Sequence, residues 1–333
     1  MSSFAAPLSD KDIEILGRDA NERNNKRGIT GVLLCLNNNF FQILEGEKAI
    51  IDGLFETIKK DPRHKDVVCL INEDHVYDRL FPGRYMHTVN LNVNNSMFFQ
   101  PVKVLLQQLI QSHRIIGKYT QPAVMNKLLQ GLDPLALEPQ RTVNAVLFAD
   151  MIGFSVISER FLVDDVVRLI NFYLETVTNA VSEFGGEVTK YIGDCVMAHF
   201  NEGEVDNALK AAVQIQETLG LVRSNACLDA PERLLHSGIG IEYGEVIQGN
   251  VGSNIKMDYT LVGSVVNRAQ GLERLTRVLS AGLIFSEEVK NASRSDWNFV
   301  ELGKHTVKGR TEPVDIFTLD HPAVYPLENP QGK

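Results

Sequence analysis

Cysteine is scarce and scattered. The 333 residues hold four, Cys35, Cys69, Cys195 and Cys227, with no paired spacing of the kind that builds a zinc site. They fit reduced core thiols of a cytosolic protein better than a disulfide framework. Long apolar runs are missing too. None approaches the ~20 residues of a membrane span, and no signal peptide opens the chain, so the sequence points to a cytoplasmic protein without a membrane partner. An excess of basic charge is also lacking: 33 Lys and Arg stand against 42 Asp and Glu, a net charge of −9. That argues against nucleic acid as the main ligand, while leaving room for one nucleotide in a locally basic pocket. There is no repeat and no low-complexity tract. What is present is an ordinary globular composition, 44% apolar and 23% charged, and enough length for about two domains with separate cores.

The stretch GGEVTKYIGDCVMAHF, residues 185–200, carries the most pointed chemistry. Two short runs rich in β-branched and aromatic residues, 187–192 and 195–200, meet at Gly193-Asp194, the mark of a tight hairpin. A core strand has no need of an acid at its tip. A second acid, Asp150, closes the strand-like NAVLFAD and is followed at once by MIGFS and a helical pattern. Two carboxylates at the ends of apolar strands suit two hard cations and a polyphosphate. Spacing alone fits equally well an ordinary hairpin acid and a helix N-cap.

In chain order, residues 9–23 begin a helix, with Ser9 at the N-cap and Asp12 three residues on. GITGVLLCL reads as a buried strand, Asn37-Asn38-Asn39 as a turn, and FFQILEG as a second strand containing a polar Gln42. The Gln42 amide needs partners if it is buried. Residues 49–58 form an amphipathic pattern, with further strands expected at 67–71 and 88–92. Residues 1–95 therefore read as a small α+β sandwich.

GITGVLL, FFQILEGE, a helix and DPRH together resemble the BLUF family of blue-light flavin receptors, a ferredoxin-like sandwich. The resemblance implies that Asn24 and Gln42 hydrogen-bond a flavin ring, FAD or FMN, and that Met86 is the signalling methionine. Amides suit that role because the ring edge offers both carbonyls and an N–H. The family's first strand carries a tyrosine that partners the glutamine and normally precedes what is here Ser2-Ser3. The chain opens at Met1, so the expectation is a sheet lacking that strand, with an exposed edge and one side of the flavin pocket open. Arg84 and Tyr85 stand near Met86, where the family often has a tryptophan.

Residues 96–138 form a connection. Val102, Leu106, Leu109, His113 and Ile116 alternate steps of four and three, as in a short coiled coil holding two copies parallel. A helix packed on its own domain has a similar pattern. Pro122, Pro134 and Pro139 then break the helix. Beyond Arg141 the order is strand 143–149, helix 163–184, the hairpin, helix 206–223, strands 235–242 and 245–249, helix 265–277 and late strands. This is an α+β alternation about one sheet, spanning 139–320 before a tail at 321–333.

FADMIGFS, GGEVTKYIGDCVMA, GIGIEYGEVIQGNVGS, DYTLVGSVVNRA and VKGR occur in the order and at the separations of class III nucleotidyl cyclases. With the flavin module, the whole resembles the bacterial photoactivated adenylate cyclases, cyclic AMP-forming lyases, which implies a parallel homodimer with a ferredoxin-like cyclase domain. The resemblance implies that Asp150, Asp194 and the Met151 backbone hold two Mg²⁺ (or Mn²⁺). It places Gly153, Phe154, Ser155 and Lys308 at the triphosphate, Lys190 and Thr260 at the base, and Asn267 in catalysis. The site is shared: one chain supplies the metal aspartates, and its partner supplies the base-reading pair, Asn267 and Lys308. Adenine N1 accepts and its amine donates, so donor-only Lys190 and acceptor Thr260 favour ATP over GTP. Two positions depart from the family. Gly271 stands where an arginine stabilises the transition state, and Ser264 where an aspartate is usual; Arg268 and Arg274, three residues either side, are the neighbours that could substitute. The departures leave two other readings open, a catalytically silent nucleotide-binding regulator and a flavin sensor acting by interaction.

Overall fold

The computed structural model describes residues 1–73, 79–81, 86–94, 96–129, 132–253, 255–307 and 312–325. The chain divides into two compact units, Met1–Ala136 and Leu137–Lys333.

The first unit runs β1 (Ser2–Phe4), α1 (Asp10–Lys26), β2 (Thr30–Leu36), β3 (Asn39–Glu45), α2 (Lys48–Lys60), β4 (His64–Lys65), β5 (Met86–Asn90), α3 (Gln100–Tyr119) and α4 (Pro122–Leu129). Helix α1 starts where its capping box dictates: Asp12 N donates to Ser9 Oγ at 3.2 Å, and Ser9 N donates back to Asp12 Oδ2 at 3.1 Å. Asn37 and Asn38 take positive φ, 46° and 63°, to turn the β2–β3 hairpin, a conformation asparagine tolerates better than most residues. The sheet order is β4-β1-β3-β2-β5.

Two sequence expectations are corrected here. A first strand is present: Ser2 and Ser3 pair with Phe40 and Asn39 on one side, and Ser3 and Phe4 with Lys65 and His64 on the other. Three residues suffice because Phe4 is buried and its ring lies 4.1 Å from that of Phe40. Residues 67–71 form no extended strand, although Val68 exchanges two backbone bonds with Met1; the short strand falls at His64–Lys65, paired with Ser3 and Phe4. The heptad positions also divide. Val102 and Leu106 of α3 pack against Leu36, Phe41 and Leu91 of their own unit, whereas Leu109 and Ile116 are exposed.

The second unit runs β6 (Gln140–Ile152), α5 (Phe154–Arg160), α6 (Val163–Glu183), β7 (Glu187–Ile192), β8 (Cys195–Phe200), α7 (Val205–Asn225), β9 (His236–Gly252), β10 (Met257–Val262), α8 (Ser264–Leu279), β11 (Leu283–Ser286), α9 (Glu287–Ala292), β12 (Phe299–His305) and β13 (Val314–Leu319). Its sheet order is β12-β13-β11-β9-β6-β8-β7, with β10 paired to the far half of β9. The strands expected at 235–242 and 245–249 are one continuous β9, because Gly244 (φ 155°) carries the extended chain through the intervening residues.

Strand alternation sorts β6 between two cores. Ala145, Leu147, Ala149 and Met151 join the cluster that includes Tyr173 and Val177 of α6 and Ile215 and Leu219 of α7. Val146 and Phe148 face the other way, into the cluster with Val265 and Ala269 of α8. The same period puts Asp150 on the α8 side. Helix α8 lies unusually close to β9: a Cβ on Gly240 would overlap Glu273 N and Ala269 O, and one on Gly238 would overlap Thr276 Oγ1. Among the described residues no helix is long and apolar enough to cross a membrane.

Candidate functional site

Asp150 and Asp194 come together. Asp150 sits opposite Gly238 near the end of β6. Asp194 occupies the two-residue turn between β7 and β8, which Gly193 allows by taking φ 67°. Burial pushes the Asp194 carboxyl up to about 6, and the neighbouring Asp150 carboxylate adds to the shift. Behind them the phenol of fully buried Tyr173 meets Ser237 Oγ at 2.8 Å, and that hydroxyl donates to the Asp150 carbonyl at 3.4 Å. The Asp150 backbone is thus held from the core side. Burial raises the Tyr173 hydroxyl well above the usual phenol range, so it stays a neutral hydrogen-bonding group.

The cluster contains two residues that sequence reading missed. Arg277 bonds Asp150 Oδ2 through Nη2 and Glu273 Oε1 through Nη1, the latter at 2.6 Å. Burial pushes the Glu273 carboxyl up to about 7, against the opposing pull of Arg277. In sequence the pair is only an acid and a base four residues apart, which on a helix reads as a solvated ion pair. Among the described residues no group of three or more His, Cys, Asp or Glu forms a ready metal cage. The all-oxygen donor set of Asp150, Asp194 and the Met151 carbonyl nevertheless fits Mg²⁺, which binds through one or two carboxylates completed by water and substrate phosphate.

The segment after Asp150 turns on Gly153, whose φ of 79° is the left-handed conformation that glycine adopts without strain. A Cβ there would meet nothing within 4 Å, so the turn, not crowding, sets the residue. The first backbone bonds of α5 run from Val156 N and Ile157 N to Gly153 O, at 3.0 and 3.1 Å. Phe154 is partly buried against the main core, and Ser155 is exposed.

Lys190 lies on β7 with its ammonium 3.9 Å from Asp258 of β10. Thr260, two residues further along β10, is buried, and among the described residues its hydroxyl has no hydrogen-bond partner. Buried polar atoms are almost always paired, so this hydroxyl is left able to accept or donate one further bond. Asn267 is exposed on the first turns of α8, and Gly271 is buried one turn on. Arg274 is exposed. Arg268 is already engaged: Nε donates to Glu242 Oε2 at 3.1 Å and Nη1 to Ser264 Oγ at 2.9 Å. Glu242 is 2% exposed and takes a further bond from Ser286 Oγ at 2.9 Å. Breaking one side of a buried ion pair costs about 3–5 kcal/mol. Arg268→Met is expected to lower unfolding stability by about that amount, measured by urea titration; a loss below about 1 kcal/mol would show the pair to be dispensable. Lys308 lies outside the described residues, as do Arg84 and Tyr85.

In the first unit, Asn24 and Gln42 converge on Met86: Asn24 Nδ2 is 2.9 Å and Gln42 Nε2 3.6 Å from its sulfur. A thioether is a weak acceptor, so two amide donors aimed at one sulfur have hydrogen-bonding capacity to spare for a ring edge. That donor set fits a flavin. Asn21, which sequence reading missed, accepts from Met86 N at 2.9 Å and fixes that residue's backbone. No tyrosine stands among residues 1–4, so the short β1 restores the strand but not the family's aromatic partner for Gln42.

A sheet that brings two carboxylates together and carries a buried, unpartnered threonine hydroxyl, in a chain whose smaller unit has convergent amides, is consistent with a sensor fused to a nucleotidyl cyclase. Comparison with known proteins agrees. Residues 1–87 match the family model for sensors of blue light using FAD (BLUF), and residues 137–321 match the adenylate and guanylate cyclase catalytic domain. A solved bacterial light-regulated adenylyl cyclase is 42% identical with a TM-score of 0.87, covering 96% of this chain and 91% of that one. The chain is also similar to the photoactivated adenylate cyclase subunit beta of Euglena gracilis, at 30% identity over 293 residues, 87% of this chain and 34% of that protein. Subunit alpha from the same organism is 31% identical over 291 residues, 87% of this chain and 28% of that protein. The chain thus spans about a third of the length of these curated relatives. It belongs to the adenylate and guanylate cyclase catalytic domain family, with a BLUF domain at its amino-terminal end.

Proposed function

We propose that this chain forms 3′,5′-cyclic AMP and pyrophosphate from ATP, in a site completed by a second copy and governed by a flavin-bearing light sensor. The observation that carries the reading is the convergence of Asp150 and Asp194 from adjacent strands, close enough that one helps raise the other's pKa. The reaction is attack of the ribose 3′-oxygen on the α-phosphorus with pyrophosphate leaving. Two Mg²⁺ ions, or Mn²⁺, would supply the positive charge that such a displacement needs at the attacking and leaving oxygens.

The chain's own residues do the rest. Asp150, Asp194 and the Met151 carbonyl hold the cations. Amides of Gly153, Phe154 and Ser155, at the start of α5, and the ammonium of Lys308 bind phosphate oxygens. Lys190 donates to adenine N1, and the otherwise unpartnered Thr260 hydroxyl accepts from the exocyclic amine. Asn267 reaches the substrate held by the partner's aspartates. The exposed Leu109 and Ile116 of α3 suit a parallel seam between two copies. In the sensor unit, Asn24 and Gln42 would hydrogen-bond the flavin ring.

The decisive experiment measures cyclic AMP formation by purified protein with Mg·ATP, in the dark and under blue light, beside its visible absorption spectrum. Yellow protein whose output rises on illumination supports the full reading. Protein that binds ATP without turning it over instead supports a nucleotide-binding regulator, the reading favoured by Gly271 and by the engagement of Arg268 with Glu242. Base choice gives a second test. Lys190→Glu with Thr260→Gly is expected to shift preference from ATP toward GTP by at least about tenfold, on the order of one exchanged hydrogen bond to a charged group. An ATP preference that survives the double change would remove these two residues from the base pocket.

A further inference from the structure

The Glu273–Arg277 pair belongs to no role derived above, yet it is built into the structure with some care. Glu273 is 3% exposed, wedged over β9 where a side chain at Gly238 would lie 3.3 Å from its Oε1 and one at Gly240 would overlap its backbone. Gly238 is the direct sheet neighbour of Asp150. The close packing of α8 on these two glycines therefore sets Glu273 behind Asp150, and one turn later Arg277 reaches forward across the gap. Its two terminal nitrogens are divided between the two acids. A planar fork shared by two carboxylates is a geometry arginine provides and lysine does not.

Asp150 Oδ2 is the atom Arg277 holds, and the same carboxylate is a ligand in the reading proposed above, on which this inference rests. A guanidinium and a divalent cation cannot share that oxygen at full strength, since both draw on the same negative charge. We propose that Arg277, anchored by Glu273, is an internal counter-cation that competes with the divalent ion for Asp150. Arg277 is a positioning residue: it sets how tightly the site takes ions by having to leave Asp150 when they bind. Glu273 gives it somewhere to remain, because the Nη1 bond survives the release of Nη2. The consequence is weak ion binding to the protein alone, strengthened when a triphosphate brings its own oxygens to the site. Pyrophosphate-bearing nucleotide and metal then bind together.

The test is Mn²⁺ binding to the full-length protein without nucleotide, followed by the loss of the free-ion electron paramagnetic resonance signal. Glu273→Gln and Arg277→Gln are introduced together, so that neither member of the pair is left buried without its partner. The double variant is expected to bind Mn²⁺ at least about tenfold more tightly than the unaltered chain, and the difference should narrow when a non-hydrolysable ATP analogue is added. Arg277→Lys keeps the charge but cannot bridge both acids, and is expected to give a smaller tightening; it reads the same competition should the double variant fail to fold. Binding as weak as, or weaker than, that of the unaltered chain in the folded variants overturns the proposal. Asp194→Asn, measured alongside, separates this failure from that of the underlying reading. If Asp194→Asn weakens Mn²⁺ binding while the Arg277 variants do not strengthen it, only the counter-cation is wrong. If Asp194→Asn changes nothing, the metal assignment falls and takes the counter-cation with it.

Discussion

Asp194→Asn is expected to lower Mg²⁺-dependent cyclic AMP formation at least about 10³-fold while leaving the fold intact. The size follows from the several kcal/mol of charge stabilisation that a metal site supplies, each 1.36 kcal/mol being tenfold in rate. The amide keeps the shape of the carboxylate but not its charge. Stability should move the other way. Folding raises the Asp194 carboxyl from 3.8 to about 6, so the fold favours its neutral form. The contribution of Asp194 to stability is therefore fully present below the unfolded value and is lost as pH rises through about 6. At pH 7.5 the ionised group works against the fold, and a neutral isostere removes that opposition. A variant that melts at or above the temperature of the unaltered chain yet makes no cyclic AMP would tie the loss to chemistry. Unchanged turnover would remove Asp194 from the ion site.

Gly271→Arg is expected to raise turnover by about 10²-fold, the amount that one preorganised transition-state donor commonly supplies. The position lies one helical turn beyond Asn267, on the same face of α8. Of the two nearby arginines, Arg268 is bound to buried Glu242 and to Ser264 and has no free reach. Arg274 is exposed, and at seven residues from Asn267 it lies on the same face of α8, so it is the remaining nearby cation. Gly271→Ala is the control, because it improves helix propensity by about 1 kcal/mol without adding a guanidinium. The measurement is kcat for cyclic AMP under saturating Mg·ATP. A gain of less than tenfold over the alanine control would mean that Arg274 or another cation already provides the missing charge.

The parts of the molecule that were legible in the sequence are those governed by local chemistry. The Ser9–Asp12 capping box, the β2–β3 turn at Asn37-Asn38 and the hairpin at Gly193-Asp194 all follow from residues within four positions of one another. What was not legible depends on partners distant in the chain. Strand β1 exists because β3 and β4 flank it, and three residues carry no periodicity of their own. The seam residues of α3 divide between two surroundings because the sheet below reaches only as far as Val102, Leu106 and Ile110. Glu273 and Arg277 were passed over for the same reason: nothing in the helix shows that Asp150, 127 residues earlier, stands opposite.

The seating of α8 has a mechanical consequence. Where α8 crosses Gly238 and Gly240 it rests on bare backbone, with no side chain of those two residues on which to roll or slip. Whatever displaces it must drag the underlying strand along, so Asn267, Gly271 and Arg277 travel with β9 as one stiff lever.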